Sequence, residues 1–240
     1  MSPSNRNPFT EATVAKLIRH GVDAERRGDV AEALNYFRQA DSARPDDAFI
    51  LQKISKQLSD STDDLTDPKQ QLELARQAMD YSKRAVALEP KSAVNLVSLA
   101  VCYGHIARWG ATGERVEASR LVKKFAEQAL AIDPNYAWAH HVLGRWNEEV
   151  ADVGGPTRAL AGLFYGGLPS GSIEEAIAQL KKAIALDPTS ASHHIALGFV
   201  YWNSGDKTNA RAELEKGLTL PPHEKHDLTL QRRTRELLKK

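Results

Sequence analysis

Few residues in this chain have the type and spacing to do chemistry. Two histidine pairs, His140-His141 and His193-His194, are the first candidates, as metal ligands or proton carriers. Neighbouring side chains on a helix point about 100° apart, so neither pair can close on one ion. His140 and His194 share one register of an internal repeat, at a place where a bulky packing residue belongs, and packing is their expected role. Cys102 is the single cysteine and lies in an apolar run, which excludes an intrachain disulfide or a cysteine-based metal site and predicts an inert core thiol. Gly167-Leu168-Pro169-Ser170-Gly171 has a proline before its serine and no strand ahead, so it is not a nucleophile elbow. Gly104, Gly110 and Gly113 lack the spacing of a dinucleotide loop, and Asp63-Asp64 sits in a polar turn. No catalytic set survives, so the chain is expected to be non-enzymatic, with no metal and no cofactor.

The bulk properties narrow the classes further. Of 240 residues, 42% are hydrophobic and 26% charged, with a formal net charge of +1, so no global field favours nucleic acid. The C-terminal stretch from His223 to Lys240 is mildly basic and reads as a solvated helix face. No apolar run is long enough for a transmembrane segment, and Met1–Pro8 has no apolar signal region. A reducing, cytoplasmic setting is the simplest context, and an exported mature fragment fits the same composition.

The elements that would position any site come from a repeat. Prolines at Pro45, Pro90, Pro134, Pro188 and Pro222 each close an apolar helical stretch. Residues 12, 8 and 5 places before them read Ala33/Phe37/Ala40, Ala78/Ser82/Ala85, Val122/Ala126/Ala129, Ala176/Leu180/Ala183 and Ala210/Leu214/Gly217. Small residues there let two helices approach closely, and the proline ends the second helix. Gly28-Asp29 and Gly205-Asp206 supply the turn inside the first and last units. Five such helical hairpins predict an all-α, right-handed tetratricopeptide-repeat superhelix with units of about 14–47, 48–92, 93–136, 137–190 and 191–224. Residues 1–13 are expected to be a flexible segment and 223–240 a capping helix.

The intervals between these prolines are 45, 44, 54 and 34, so the middle units carry extra residues at 59–68, 108–117 and 154–171. The last of these holds an apolar helix over 157–165 between Gly154-Gly155-Pro156 and Gly166-Gly167. Ser172 then caps the next helix, with Glu175 completing a capping box.

In this architecture the first helices line the concave side. The expected ligand groove comprises Phe49, Gln52, Lys56, Val97, Val101, Trp138, His141, Arg145, Glu148, Ile195, Phe199 and Trp202, flanked by Val94 and Ser192. An aliphatic and aromatic middle argues against a clamp for a peptide carboxylate. It favours an apolar helix of a protein or peptide partner, or a phospholipid or other hydrophobic ligand. Arg145 could hold a lipid headgroup, or pair with Glu148 and Glu149 along its own helix. Segment 157–165 could instead fold over the groove and turn this face into core.

Beyond the repeat, one stretch resembles a known family. His141-Val142-Leu143-Gly144-Arg145-Trp146, Glu149-Val150-Ala151, Ala159-Leu160-Ala161-Gly162-Leu163-Phe164, Leu168-Pro169-Ser170, Ile173-Glu174-Glu175-Ala176, Leu220-Pro221 and Asp227-Leu228 resemble the regulator of microtubule dynamics family. The match covers the latter two-thirds of the chain and includes the inserted helix. It implies a non-enzymatic helical repeat protein of a family associated with microtubules, mitochondria and organelle contact sites. One member of that family is a membrane tether whose repeat domain resembles a phospholipid-binding module.

Overall fold

A computed structural model of the chain describes residues 8–239, and among these all regular structure is helical. The helices are α1 (Pro8–Arg26), α2 (Val30–Ala43), α3 (Ala48–Ser61), α4 (Pro68–Leu88), α5 (Ala93–Trp109) and α6 (Thr112–Ile132). They continue as α7 (Ala137–Ala151), α8 (Gly155–Tyr165), α9 (Ile173–Leu186), α10 (Ala191–Ser204), α11 (Lys207–Thr219) and α12 (Lys225–Leu237). Of the 1–13 segment read as flexible, residues 1–7 lie outside the described residues, while 8–13 belong to α1, whose first residue is a proline suited to that place.

The pairs α1/α2, α3/α4, α5/α6, α7/α9 and α10/α11 pack as hairpins, and each first helix from α3 onward also packs on the hairpin before it. The result is a helical-repeat superhelix. Helix starts follow local chemistry: Asp29, Asp47, Asp67, Ser92, Ser172, Ser190 and Asp206 each accept a backbone N–H of the first turn through the side chain. At Ser172 only that half of the capping box forms. The Glu175 carboxylate accepts from Gln179 instead, at 2.8 Å. Gly28 and Gly205 hold φ of +74° and +92°, the left-handed turn each hairpin needs.

The extra residues of the middle units are not all loop. After α3, a short 3-10 turn (Thr62–Asp64) and three linking residues precede α4, but α4 and α6 absorb the remaining length as helices of 21 residues each. Continuing a helix keeps each added peptide group hydrogen-bonded, which a longer loop would not.

Every residue of the repeat signature is buried, from Ala33, Phe37 and Ala40 to Ala210, Leu214 and Gly217. Facing the middle signature position, the first helix carries a residue of complementary size. A Cβ on Gly21 would lie 2.7 Å from the Phe37 ring, on Gly144 2.6 Å from Leu180, and on Gly198 2.6 Å from Leu214. Where the second helix is small, the first is larger: Ser55 meets Ser82 at 2.7 Å between hydroxyls, and fully buried Ala100 takes the same register in its unit.

This volume rule yields a test. Gly198→Ala should destabilise by about 1–2 kcal/mol, because overpacking against Leu214 outweighs the helix preference for alanine. In a Leu214→Ala background most of that penalty should vanish, leaving only the 3.0 Å approach of the new Cβ to the backbone N of residue 214. Thermal melts of the four proteins read the coupling directly, and simple additivity would refute the pairing.

Candidate functional site

The first helices α3, α5, α7 and α10 pack side by side along one face of the superhelix, and that face is not empty. The C-terminal segment lies along it. Leu230 of α12 packs with Ile195 and Leu214, flanked by Phe199, Trp202, Leu237 and Leu238. The Arg233 guanidinium stands 5.6 Å from the Phe199 ring centre, and His226 lies 6.3 Å from Trp138. Further along, Glu224 pairs with Lys56 at 2.8 Å and Lys225 with Asp64 at 2.7 Å. Leu228 then rests on Gly28, where a Cβ would come within 2.7 Å. The segment therefore caps the last hairpin and also clasps the first two.

The occupant of the groove is thus not the one entertained for residues 157–165. Helix α8 packs on α6 instead, with the Arg120 guanidinium donating to the carbonyls of Tyr165 and Gly167 and Tyr165 against Gly113. Gly154-Gly155 and Gly166-Gly167 release the chain sharply at both ends of α8, which carries it to the outer layer.

The clasp is held by charges with little solvent around them. Lys56 contacts Asp60 at 2.8 Å, Glu224 at 2.8 Å and Glu25 at 3.4 Å, and Lys53 holds Glu25 at 2.9 Å. Burial works against the Lys56 ammonium, yet Asp60, Glu224 and Glu25 outweigh it and hold its pKa well above the ordinary value. Burial raises the Asp60 carboxyl above the usual range, with Lys56 opposing. At the other end Asp227, 3% exposed, sits on the N-terminus of α10. It accepts the Ser192 N–H at 3.2 Å, the Ser192 hydroxyl, and the His223 N–H at 2.9 Å. Free N–H groups and the helix dipole both favour an anion there. Gln231 closes the far end of α11 by donating to the carbonyls of Gly217 and Leu220.

The predicted groove residues divide sharply. Phe49 is 46% exposed at the open end. Gln52 is buried and bonded to the Ser98 hydroxyl, and Val97 is buried with Val101 against the α5/α7 core. Trp138, His141 and His193 form one aromatic cluster, with Trp138 ring centres 4.9 Å from both imidazoles. His193, outside the predicted face, places its Nδ1 3.0 Å from Nδ1 of His141. The repeat register hinted at this, since residues 141 and 193 lie on neighbouring first helices. Burial depresses both histidines, His193 to about 4 and His141 well below the ordinary value. His140 and His194 instead play identical bracing roles. Nε2 of each faces the carbonyl of Pro134 or Pro188, and Nδ1 faces Gln179 or Glu213 on the partner helix. No group of three or more potential metal ligands gathers among the described residues.

Arg145 pairs with Glu148, and with Glu149 at 3.5 Å, while the second oxygen of buried Glu148 accepts from Asn203 at 2.9 Å. These bonds lock α7 to α10. Arg145 is left 35% exposed at the groove rim. Trp146 is a packing residue, its indole donating to the Ser119 carbonyl at 2.8 Å. Cys102 is buried beside Ser55, Ser59 and Ser82, and burial pushes its thiol up, as suits an unreactive core sulfur. No helix among the described residues is long and apolar enough to cross a membrane.

Known proteins are similar to this chain in sequence and in fold. A family model described as "Regulator of microtubule dynamics protein 1-3" matches residues 18–240. The regulator of microtubule dynamics protein 1 of Mus musculus is 26% identical over 166 residues, covering 69% of this chain and 54% of the mouse protein. Its Caenorhabditis elegans counterpart is 24% identical over 161 residues, covering 67% and 71%. The chain thus spans about half the length of the mouse relative. The crystal structure of a thermophilic TPR protein from Thermus thermophilus superposes with a TM-score of 0.68 at 23% identity, covering 94% of this chain and 98% of that one. That likeness is one of fold. With nearly all of its length matched, including the groove, α8 and the clasp, this helical-repeat scaffold belongs to the regulator of microtubule dynamics protein 1–3 family.

Proposed function

We propose that the chain is a non-catalytic scaffold that binds an amphipathic helix of a protein partner along its concave groove. Its own α12 takes that place in cis. The observation that carries this reading is α12 itself. One helix buries Leu230 against Ile195, sets an acidic residue on Lys56 and another on the α10 N-terminus, and leaves its outer face charged. Helix-in-groove recognition uses this same division of apolar anchors and end charges. A partner helix with an acidic first turn and a leucine one turn later fits the same contacts. A cytoplasmic setting suits the free thiol of Cys102.

A labelled peptide of residues 223–239 tests the groove. Asp227→Ala, which loosens the cis helix, should bind it in fluorescence anisotropy, while the native chain should not. A variant that keeps its helical circular dichroism yet ignores the peptide would overturn the proposal.

The second reading is a phospholipid or acyl chain in the groove with Arg145 at the headgroup. It is favoured by the partial exposure of that cation beside an apolar wall. Native mass spectrometry of the same variant decides between them: a co-purifying phospholipid mass, chased off by the peptide, selects the lipid.

A further inference from the structure

Helix α8 stands apart from every other helix in how it treats its apolar residues. Leu160 is 56% exposed, Leu163 75%, Phe164 66% and Tyr165 40%, and Ala161 is its one buried residue. The exposure is one-sided for a reason. Arg158, Ala161 and Tyr165 lie on the face turned to the body, where the Arg158 guanidinium donates to the carbonyls of Val150 at 2.6 Å and Pro169 at 3.3 Å. Leu160, Leu163 and Phe164 follow i, i+3, i+4 spacing on the opposite face. That outer face carries no charge, because Arg158 is the only charged residue of α8 and points the other way.

We propose that this outer face is a membrane-docking surface, which seats Leu160, Leu163 and Phe164 in the interfacial zone of an anionic lipid bilayer. Three features select lipid over protein. The three exposed side chains of that face present on the order of 400 Å², about half of the roughly 800 Å² that each partner gives to a stable protein interface. A bilayer has no such threshold and needs no shape match. The face offers a single polar side chain, the exposed hydroxyl of Thr157, which is little to specify a protein partner, and a helix bonds its peptide groups to one another, as an apolar phase requires. Arg158 is held by carbonyl oxygens and not by a carboxylate, so its positive charge persists behind the patch and complements anionic headgroups. The surface is separate from the groove and does not rest on the helix-binding reading.

Flotation of the full chain with vesicles of phosphatidylcholine and a minor share of phosphatidylserine tests the proposal. The native chain should float, and Leu163→Asp/Phe164→Asp should lose roughly tenfold or more of the bound fraction. Both side chains are mostly exposed, so the variant should keep the native thermal midpoint. Equal flotation of the α8 variant, or no flotation of the native chain, would overturn the assignment. So would self-association of the native chain in sedimentation that vanishes in the variant, since that outcome gives the patch to a second copy.

Discussion

Replacing the buried Asp227 with alanine should lower stability by about 3–4 kcal/mol. Three donors converge on that carboxylate: the N–H and hydroxyl of Ser192 and the N–H of His223. Alanine would strand both backbone donors in a site that is 3% exposed. Charge-assisted bonds of this kind are worth about 1.5–3 kcal/mol each, and their loss is only partly recovered when water enters. The damage is also mechanical, because Asp227 is where the C-terminal segment is pinned to α10. Amide hydrogen exchange should therefore accelerate first in α12, before α10 and α11. A thermal midpoint lowered by about 6–16 °C is the corresponding shift for a domain of this size. A change below about 2 °C, with α12 still protected, would show that Leu230 and Gln231 suffice to hold the segment. Asp227→Asn should be intermediate, since it keeps one acceptor but gives up the charge at the helix end.

Acidification should weaken the fold by about 3 kcal/mol through His193 alone. That ring is completely buried, and burial lowers its pKa from 6.5 to about 4, although Asp187 and Asp227 pull upward and His194 downward. The unfolded chain takes up this proton near pH 6.5 and the folded one only near pH 4. Stability is therefore complete above pH 6.5 and is lost as pH falls through that window. Geometry gives the same sign. With His141 and His193 joined Nδ1 to Nδ1 at 3.0 Å, one nitrogen donates and the other accepts, so the pair cannot be doubly protonated without two N–H groups in opposition. Trp138 closes over both rings and offers no anion to compensate. His105, half-buried on α5 and stacked on Trp109, is also lowered to about 4 by desolvation and works in the same direction. Urea unfolding at neutral pH and near pH 4.5 measures the loss, and His193→Gln should flatten the dependence. An unchanged slope in that variant would assign the acid sensitivity elsewhere.

The amino-acid sequence by itself determined the repeat. Each proline-terminated hairpin is specified within its own unit, by caps such as Asp29 and Ser190, by glycines at turns and by small residues facing large ones. Those are short-range interactions, and their spacing is visible in a linear text. The Arg145–Glu148 pair was equally legible, because three residues along a helix is a fixed geometry. What fills the groove was not. Lys225 meets Asp64 across 161 residues only because the accumulated rotation of five hairpins brings the last turn back over the first. The meeting of His141 with His193 depends on how α7 crosses α10, and the outward face of α8 on which side of α6 its glycine hinges deliver it. A small change in twist per unit leaves every local signal intact, yet moves such contacts by many ångströms. Only the assembled superhelix could decide them.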